Sequence, residues 1–318
     1  MDKQNKLGSK LLLNSALVFL IVLIILNSVI TSNFFSINTL NNIVTQIAPT
    51  VLVSMGMTLV ISTGGIDISV GSMMAVSGVI VASLMANYGI FVALLVGVLA
   101  AILFGALNGF FVGVLRLQAM VVTLGSMLLL RGLAQVITEG RDIYFNQLGD
   151  SGQLLADLGN YKIFGIMPVQ IIPIVSSIAF VWVIVNRSTL GRKIEATGDN
   201  MTAGEMTGLN VNKIIMIVYS LSAVFAMFAG VFQMARVSVA SGSSLGQSAE
   251  LDAIAAVAIG GTPLSGGKAQ VFGTFIGALI MQLITLTVVM NNIPEQYAQI
   301  LKAFILVLAL YFQGKKES

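Results

Sequence analysis

The chain has 318 residues, of which 57% are hydrophobic and only 9% charged, whereas a soluble globular domain carries roughly 25% charged residues. It lacks the polar surface that water would require, so lipid must surround most of it. A net charge of +3 and a pI of about 9.2 fit basic cytoplasmic loops better than a nucleic-acid partner. With no Cys and no His, disulfides, Cys or His metal sites, imidazole catalysis and thiol nucleophiles are excluded.

A membrane-crossing helix needs about 20 mostly apolar residues. Such segments are predicted near 11–31, 43–63, 66–87, 90–115, 119–139, 168–186, 212–236, 250–262, 271–290 and 297–314. The eighth is too short to span comfortably, which suggests a broken or re-entrant helix. The first follows Lys3, Lys6 and Lys10 and is too long for a signal core, with no small-x-small cleavage site behind it. It reads as an uncleaved span with its amino terminus inside.

Basic residues test this alternation. Starting inside, Arg116, Arg187, Arg192, Lys193, Lys213, Lys268, Lys315 and Lys316 also fall on the cytoplasmic side. Arg141 and Lys162 fall outside, and Arg236 lies near an outer helix end. The expectation is an all-α polytopic membrane protein with about ten spans, both termini cytoplasmic. No linker divides it, so residues 1–318 read as one domain. A polar outer loop, 140–167, is expected to pack over the outer mouth.

Glycines at Gly97, Gly105, Gly109 and Gly113 recur on one helix face and favour close helix contact. Ordinary membrane packing is the favoured reading over a specially movable bundle.

Two turns echo one another as GGxxxSxG. One carries Gly64, Gly65, Asp67, Ser69 and Gly71; the other carries Gly260, Gly261, Ser265 and Gly267. Paired glycines release a helix, and Ser with exposed amides offers polar contacts. Broken helices in corresponding places often mark a substrate path. Unrelated cytoplasmic turns of common composition are the plainer reading. Both turns lie inside, which favours a gate or docking turn. Gly266-Gly267-Lys268 has part of a nucleotide loop, but Thr262 stands at the leading glycine and Ala269 at the hydroxyl position. No ATP site is expected there.

Several charges fall in or near spans. Asp67 could line a path, cap the third span or be solvated; capping is favoured. Arg131 is read as structural, paired with an acid or with carbonyls. Glu250 and Asp252 suit a helix amino terminus, preferred over a sugar-binding role. Lys302 is expected to snorkel outward.

The longest inner polar interval is 187–213. Leu190 and Ile194, then Ala203 and Met206, form short apolar stripes on a helix interrupted by Gly198 and Asn200. Thr202 with Glu205 makes a capping-box pattern, and Gly208 is placed to end the helix. A short helix along the membrane surface is expected, one that another protein can grip.

These residues carry a family resemblance over nearly the whole chain. Ser62 to Gly71, Asn108-Gly109, Val122 to Gly125 with Arg131-Gly132, Gly191 to Gly198, and Glu250 to Gly261 together resemble the membrane permease of bacterial ATP-binding-cassette importers of the ribose, galactoside and xylose group. One departure is Gln118-Ala119-Met120, where relatives commonly carry proline before the fifth span. The resemblance implies that the loop with Glu195, Ala196, Gly198, Ala203 and Gly208 is a coupling helix docking on an ATPase subunit. It further implies two permease subunits, identical or different, and an external sugar-binding protein. ATP and magnesium would belong to the partner, with no cofactor held by this chain. Monosaccharide import across the bacterial inner membrane is the function expected. Gly64, Gly65, Asp67, Ser69, Asn108, Gly260, Gly261 and Ser265 are the path or gate candidates. The alternatives are a related solute (nucleoside, signalling molecule or branched-chain amino acid) and, in another class, an ion-coupled secondary transporter, disfavoured by the scarcity of buried carboxylates.

Overall fold

The computed structural model describes the backbone of residues 2–317, with side chains over 16–294 and 296–308. The side chains of Lys3, Lys6, Lys10, Lys315 and Lys316, on which part of the charge reading rests, lie outside the described residues. Twelve α-helices dominate: α1 (Asp2–Ile30), α2 (Ile37–Ser62), α3 (Val70–Gly113), α4 (Ala119–Ile137), α5 (Asp150–Asn160), α6 (Ile171–Arg187), α7 (Thr189–Asp199), α8 (Met201–Met206), α9 (Val211–Val237), α10 (Ala249–Ile259), α11 (Val271–Met290) and α12 (Glu295–Glu317). Each predicted segment is helical.

Among the described residues, five helices are long and apolar enough to cross a membrane: α2, α3, α4, α9 and α11. A sixth is gained if α6 and α7, bent by 75°, count as one span. That is fewer than the number read from the sequence, and the difference has identifiable sources. The helix α3 runs for 44 residues, but Gly89 takes φ 78° and ψ 163° within it, a region open essentially to glycine alone. A Cβ placed on Gly97 would lie 2.9 Å from Val81 Cγ2. Residues sixteen apart in a straight helix stand about 24 Å apart, so α3 folds back at Gly89 into two limbs. The described apolar parts of α1 and α12, Ala16–Ile30 and Gln296–Leu308, are short. The eleven residues of α10 reach only about 16 Å, half the hydrocarbon thickness, in agreement with the short eighth segment.

The helix α2 sits at the centre because it is apolar on all sides. Its residues from Ile47 to Ser62 are buried almost without interruption, and it packs against α6, α9, α10 and α11. The second limb of α3 lies along α9 through its glycine face. A Cβ on Gly105 would stand 2.6 Å from Ser220 Cα, and one on Gly113 would stand 3.2 Å from Ile215 Cβ. Gly109 faces the Met216 backbone. The predicted glycine stripe is thus a seam of close helix contact.

Loops sort to two ends. At one, β1 (Ile143–Tyr144) pairs antiparallel with β4 (Val239–Ala240). The same loop holds the hairpin of β2 (Lys162–Ile163) and β3 (Met167–Pro168), and α5, which packs on α3 and α9. The 140–167 segment is therefore folded and tied down by backbone pairing. At the opposite end gather 62–69, 116, 195–205 and 260–270.

Candidate coupling and gating site

The two GGxxxSxG turns meet. Gly64, Gly261, Gly266 and Gly267 take φ of +80°, +86°, +94° and +80°, a left-handed geometry that side chains disfavour. The Gly267 N–H donates to the Ser62 carbonyl oxygen at 3.1 Å. The Ser62 hydroxyl donates to the Lys268 carbonyl oxygen at 3.0 Å. A Cβ on Gly64 would sit 3.3 Å from the Ser265 oxygen. Deeper in, the Thr58 and Thr274 hydroxyls share a hydrogen bond of 2.9 Å between α2 and α11. The echo seen in the sequence is thus one joint, built from the ends of α2 and α10 and the starts of α3 and α11. Gly65, Gly260 and Gly261 are buried within it, whereas Gly64 and Ser265 are exposed.

The helix α7 seats on this joint. Ser188 caps it, its hydroxyl accepting from Gly191 N–H at 3.2 Å. Glu195 Oε1 accepts from Ala269 N–H at 3.1 Å. Burial raises the Glu195 carboxyl above its ordinary value of 4.5, against the Ala269 hydrogen bond and the Lys268 charge. Burial likewise lowers the Lys268 ammonium, against the Glu195 charge. Both shifts favour the neutral form, so loss of water outweighs mutual attraction here. Gly198 does not interrupt α7 as expected. It lies inside the helix because its bare Cα permits contact with the Ser62 carbonyl and the Gly267 amide.

Asn200, at φ −159° and ψ 102°, ends α7 and begins α8. Its Oδ1 accepts from Ala203 N–H at 2.9 Å. The predicted Thr202 cap is therefore corrected to Asn200: both side chains can cap, and the extended backbone at 200 decides. Glu205 turns away from any capping box and pairs with Arg116, which also reaches Asn212 Oδ1 at 3.1 Å. Gly208, at φ +83°, follows the last turn as expected. Ala196, Ala203 and Met206 face outward, Met206 at 84% exposure.

Beside the joint runs a buried polar string. Asp67, Ser69 and Asn108 are 2%, 1% and 3% exposed. Asp67 does not cap α3 in the predicted way, nor is it solvated. The N-cap position is Ser69, without a side-chain capping bond, and Asp67 Oδ1 holds its N–H at 3.0 Å and its hydroxyl at 2.6 Å. Asn108 Nδ2 donates to Ser69 Oγ at 3.0 Å, and the Ser126 hydroxyl donates to Asn108 Oδ1. Ser222 of α9 donates to Asp67 Oδ2 at 3.4 Å. The string thus ties both limbs of α3 to α4 and α9. Ser126 and Ser222 belong to the site but were not singled out from sequence, and Ser62, Ala269 and Arg116 were named there only for the family resemblance, the incomplete nucleotide loop and the charge alternation. A lone Ser in a span has no distinguishing pattern, and Arg116 carried only a topological signal.

Other charges are settled at the opposite end. Arg131 reaches the carbonyl oxygens of Gly242, Ser243 and Leu245 at 3.3, 3.3 and 2.7 Å, the structural role expected. Lys302 does not simply snorkel: its Nζ lies 2.8 Å from Asp252 Oδ2.

Comparison with known proteins bears on this arrangement. Residues 39–310 match the family described as branched-chain amino acid transport system / permease component. The chain is 41% identical to the ribose import permease protein RbsC of Escherichia coli K12, over 95% of this chain and 94% of the relative. It is 33% identical to the galactofuranose transporter permease protein YtfT of the same organism, over 94% and 89%. It is 30% identical to the autoinducer 2 import system permease protein LsrC of Photorhabdus luminescens, over 95% and 89%. No solved structure matches.

Proposed function

Because this chain belongs to the family of branched-chain amino acid transport system permease components, we propose that it is the multi-pass membrane subunit of an importer that moves a monosaccharide inward. Residues 1–318 act as one membrane domain of the bacterial inner membrane, with both termini cytoplasmic. The likeness to ribose and galactofuranose permeases supports the cargo class. A separate ATP-binding subunit holds ATP and magnesium. A second permease copy, identical or different, and an extracytoplasmic sugar-binding protein complete the assembly.

One observation carries the mechanism: Glu195 and Gly198 of α7 rest directly on the joint between the two glycine turns. The exposed side of α7 and α8, with Ala196, Ala203 and the apolar Met206, is free for the ATPase. Glu195, Ala196, Gly198, Ala203 and Gly208 form this coupling element. Movement of the partner pushes α7, and backbone contacts pass the push to Ser62 of α2 and to Gly267 and Ala269 before α11. Gly64, Gly65, Gly260, Gly261 and Ser265 are the flexing gate. Asp67, Ser69 and Asn108 keep α3, α4 and α9 in register while it opens, and alternating access results.

Lipid vesicles holding this chain, its ATPase and its binding protein test the reading. Ribose uptake that requires ATP on the ATPase side is expected. Uptake driven by a proton or sodium gradient without the ATPase overturns it in favour of a secondary transporter.

A further inference from the structure

At the end of the bundle opposite the coupling joint, a cavity of about 480 Å³ opens between the start of α2, the end of α9 and the β2–β3 hairpin. Asn38, Asn41, Asn42 and Thr45 line it from α2, a spacing that puts all four on one helix face. Arg236 closes it from α9 and Lys162 from β2. No Asp or Glu lines the cavity. Among the described residues neither cation is in an ion pair, and the side-chain amides of Asn38, Asn41 and Asn42 have no hydrogen-bond partner.

The hairpin beside it carries an apolar tip. Ile166 N–H donates to the Ile163 carbonyl oxygen at 3.1 Å, closing a turn whose central residues Phe164 and Gly165 take φ of +52° and +72°. Gly, Asn and Asp dominate such positions, and a bulky residue there is an outlier. Phe164 is nonetheless 96% exposed and Ile166 60% exposed, so packing within the chain does not offset the strain. A turn in water gains nothing from phenylalanine at this place, whereas a turn dipped among acyl chains does.

Together the two features select one class of ligand. Two cations without a counter-ion call for an anion, and the unpartnered amides call for oxygens around it. An ammonium or choline headgroup would meet cations and no carboxylate. Both α2 and α9 are long and apolar enough to cross a membrane, so the cavity at their ends lies at headgroup level. That position favours lipid over a soluble acidic partner. We propose that this cavity binds the headgroup of an anionic phospholipid of the phosphatidylglycerol type. Arg236 and Lys162 hold the phosphodiester, the α2 amides hold glycerol hydroxyls, and Phe164 and Ile166 rest among the acyl chains. The assignment goes beyond the import reading and does not depend on the cargo.

Trp182 is the chain's one tryptophan, so Trp182→Phe combined with Phe164→Trp leaves a single indole at the hairpin tip. The full chain is placed in phosphatidylcholine vesicles with a small fraction of lipid brominated on its acyl chains, either phosphatidylglycerol or phosphatidylcholine. Both are expected to quench the indole, with phosphatidylglycerol favoured by about twenty-fivefold, roughly fivefold for each cation. Arg236→Gln and Lys162→Gln together are expected to remove that preference while quenching persists, and Arg236→Lys to keep it. Asn41→Asp, which sets a carboxylate against the two cations, is expected to lower it without removing either. An indole that neither lipid quenches overturns the proposal and leaves the hairpin to a protein partner. Equal quenching by the two lipids overturns it, as does a preference that survives the double substitution or Asn41→Asp. A preference abolished by inorganic phosphate at constant ionic strength overturns it too and marks a free-anion site.

Discussion

Gly198 of α7 and the carbonyl of Ser62 at the end of α2 touch with no space for a side chain between them. A Cβ at 198 would overlap that oxygen and stand 2.5 Å from the Gly267 nitrogen. Gly198→Ala must therefore lift α7 off the joint. Overpacking at such a contact costs about 1–3 kcal/mol. A lowered unfolding midpoint of the purified chain and more ATP hydrolysed per sugar imported are the expected outcomes. An alanine variant with unchanged midpoint and unchanged stoichiometry contradicts the seating described.

The Glu195 carboxyl gives a pH signature. Burial raises it above 4.5, so the folded state holds that proton more tightly than the unfolded chain. Its contribution is fully present below 4.5 and is lost as pH rises through the folded value. Glu195→Gln keeps an acceptor for Ala269 N–H and removes the titration. The variant is expected to gain thermal stability relative to wild type on going from acid to neutral pH. A difference that stays constant across that range refutes the assignment.

The Asp67–Ser69–Asn108–Ser126 string should behave as a unit. Asn108→Ala removes the donor to buried Ser69 Oγ and the acceptor of half-buried Ser126, and is expected to cost about 1–3 kcal/mol. In a double-mutant cycle, Asn108→Ala and Ser126→Ala should cost less together than the sum of the single losses, because they share one bond. Strict additivity in urea titrations of the detergent-solubilised chain would dissolve the string.

Gly89 offers a test free of packing effects, since a Cβ there meets nothing within 4 Å. Its φ of 78° and ψ of 163° are costly for any other residue, by about 1–3 kcal/mol. Gly89→Ala should lower the unfolding midpoint by that strain alone. An unaffected midpoint means the fold-back is made elsewhere.

Arg131→Met removes the donor shared by the carbonyls of Gly242, Ser243 and Leu245. A loss of about 2 kcal/mol is expected, with faster amide exchange confined to 241–248. Exchange that accelerates evenly over the chain speaks against this local role.

Most of the bundle was legible because the hydrophobic runs are long and the loops between them polar, so each predicted segment returned as helix. The turn-back of α3 at Gly89 falls in the gap between the predicted segments 66–87 and 90–115; what composition could not show was that helix continues on both sides of a single glycine there. Local capping was half legible. Asn200 and Thr202 are both good caps, and only the backbone angles at 200 separate them. The glycine turns were readable as turns, but their contact joins residues some two hundred positions apart, and no local pattern carries that information. The Asp252–Lys302 pair escaped for the same reason: each residue had a sufficient local explanation in its own helix. Family resemblance supplied the coupling role proposed for 187–213, while the seat of Glu195 on Ala269 required coordinates.

The glycine seam between α3 and α9 restricts how this bundle can move. Where Gly105 and Gly109 bring one backbone against another, no long side chain intervenes to change rotamer and let the helices slide. Backbone-to-backbone packing leaves little slack between them, so on the proposed mechanism this pair is expected to move as a single strut. If α7 transmits movement as proposed above, that displacement falls on the α10–α11 side of the joint, where Gly261, Gly266 and Gly267 take left-handed backbone angles. On the coupling mechanism proposed above, this strut would be the stator, and probes at 105 and 220 are expected to keep a fixed separation through the transport cycle.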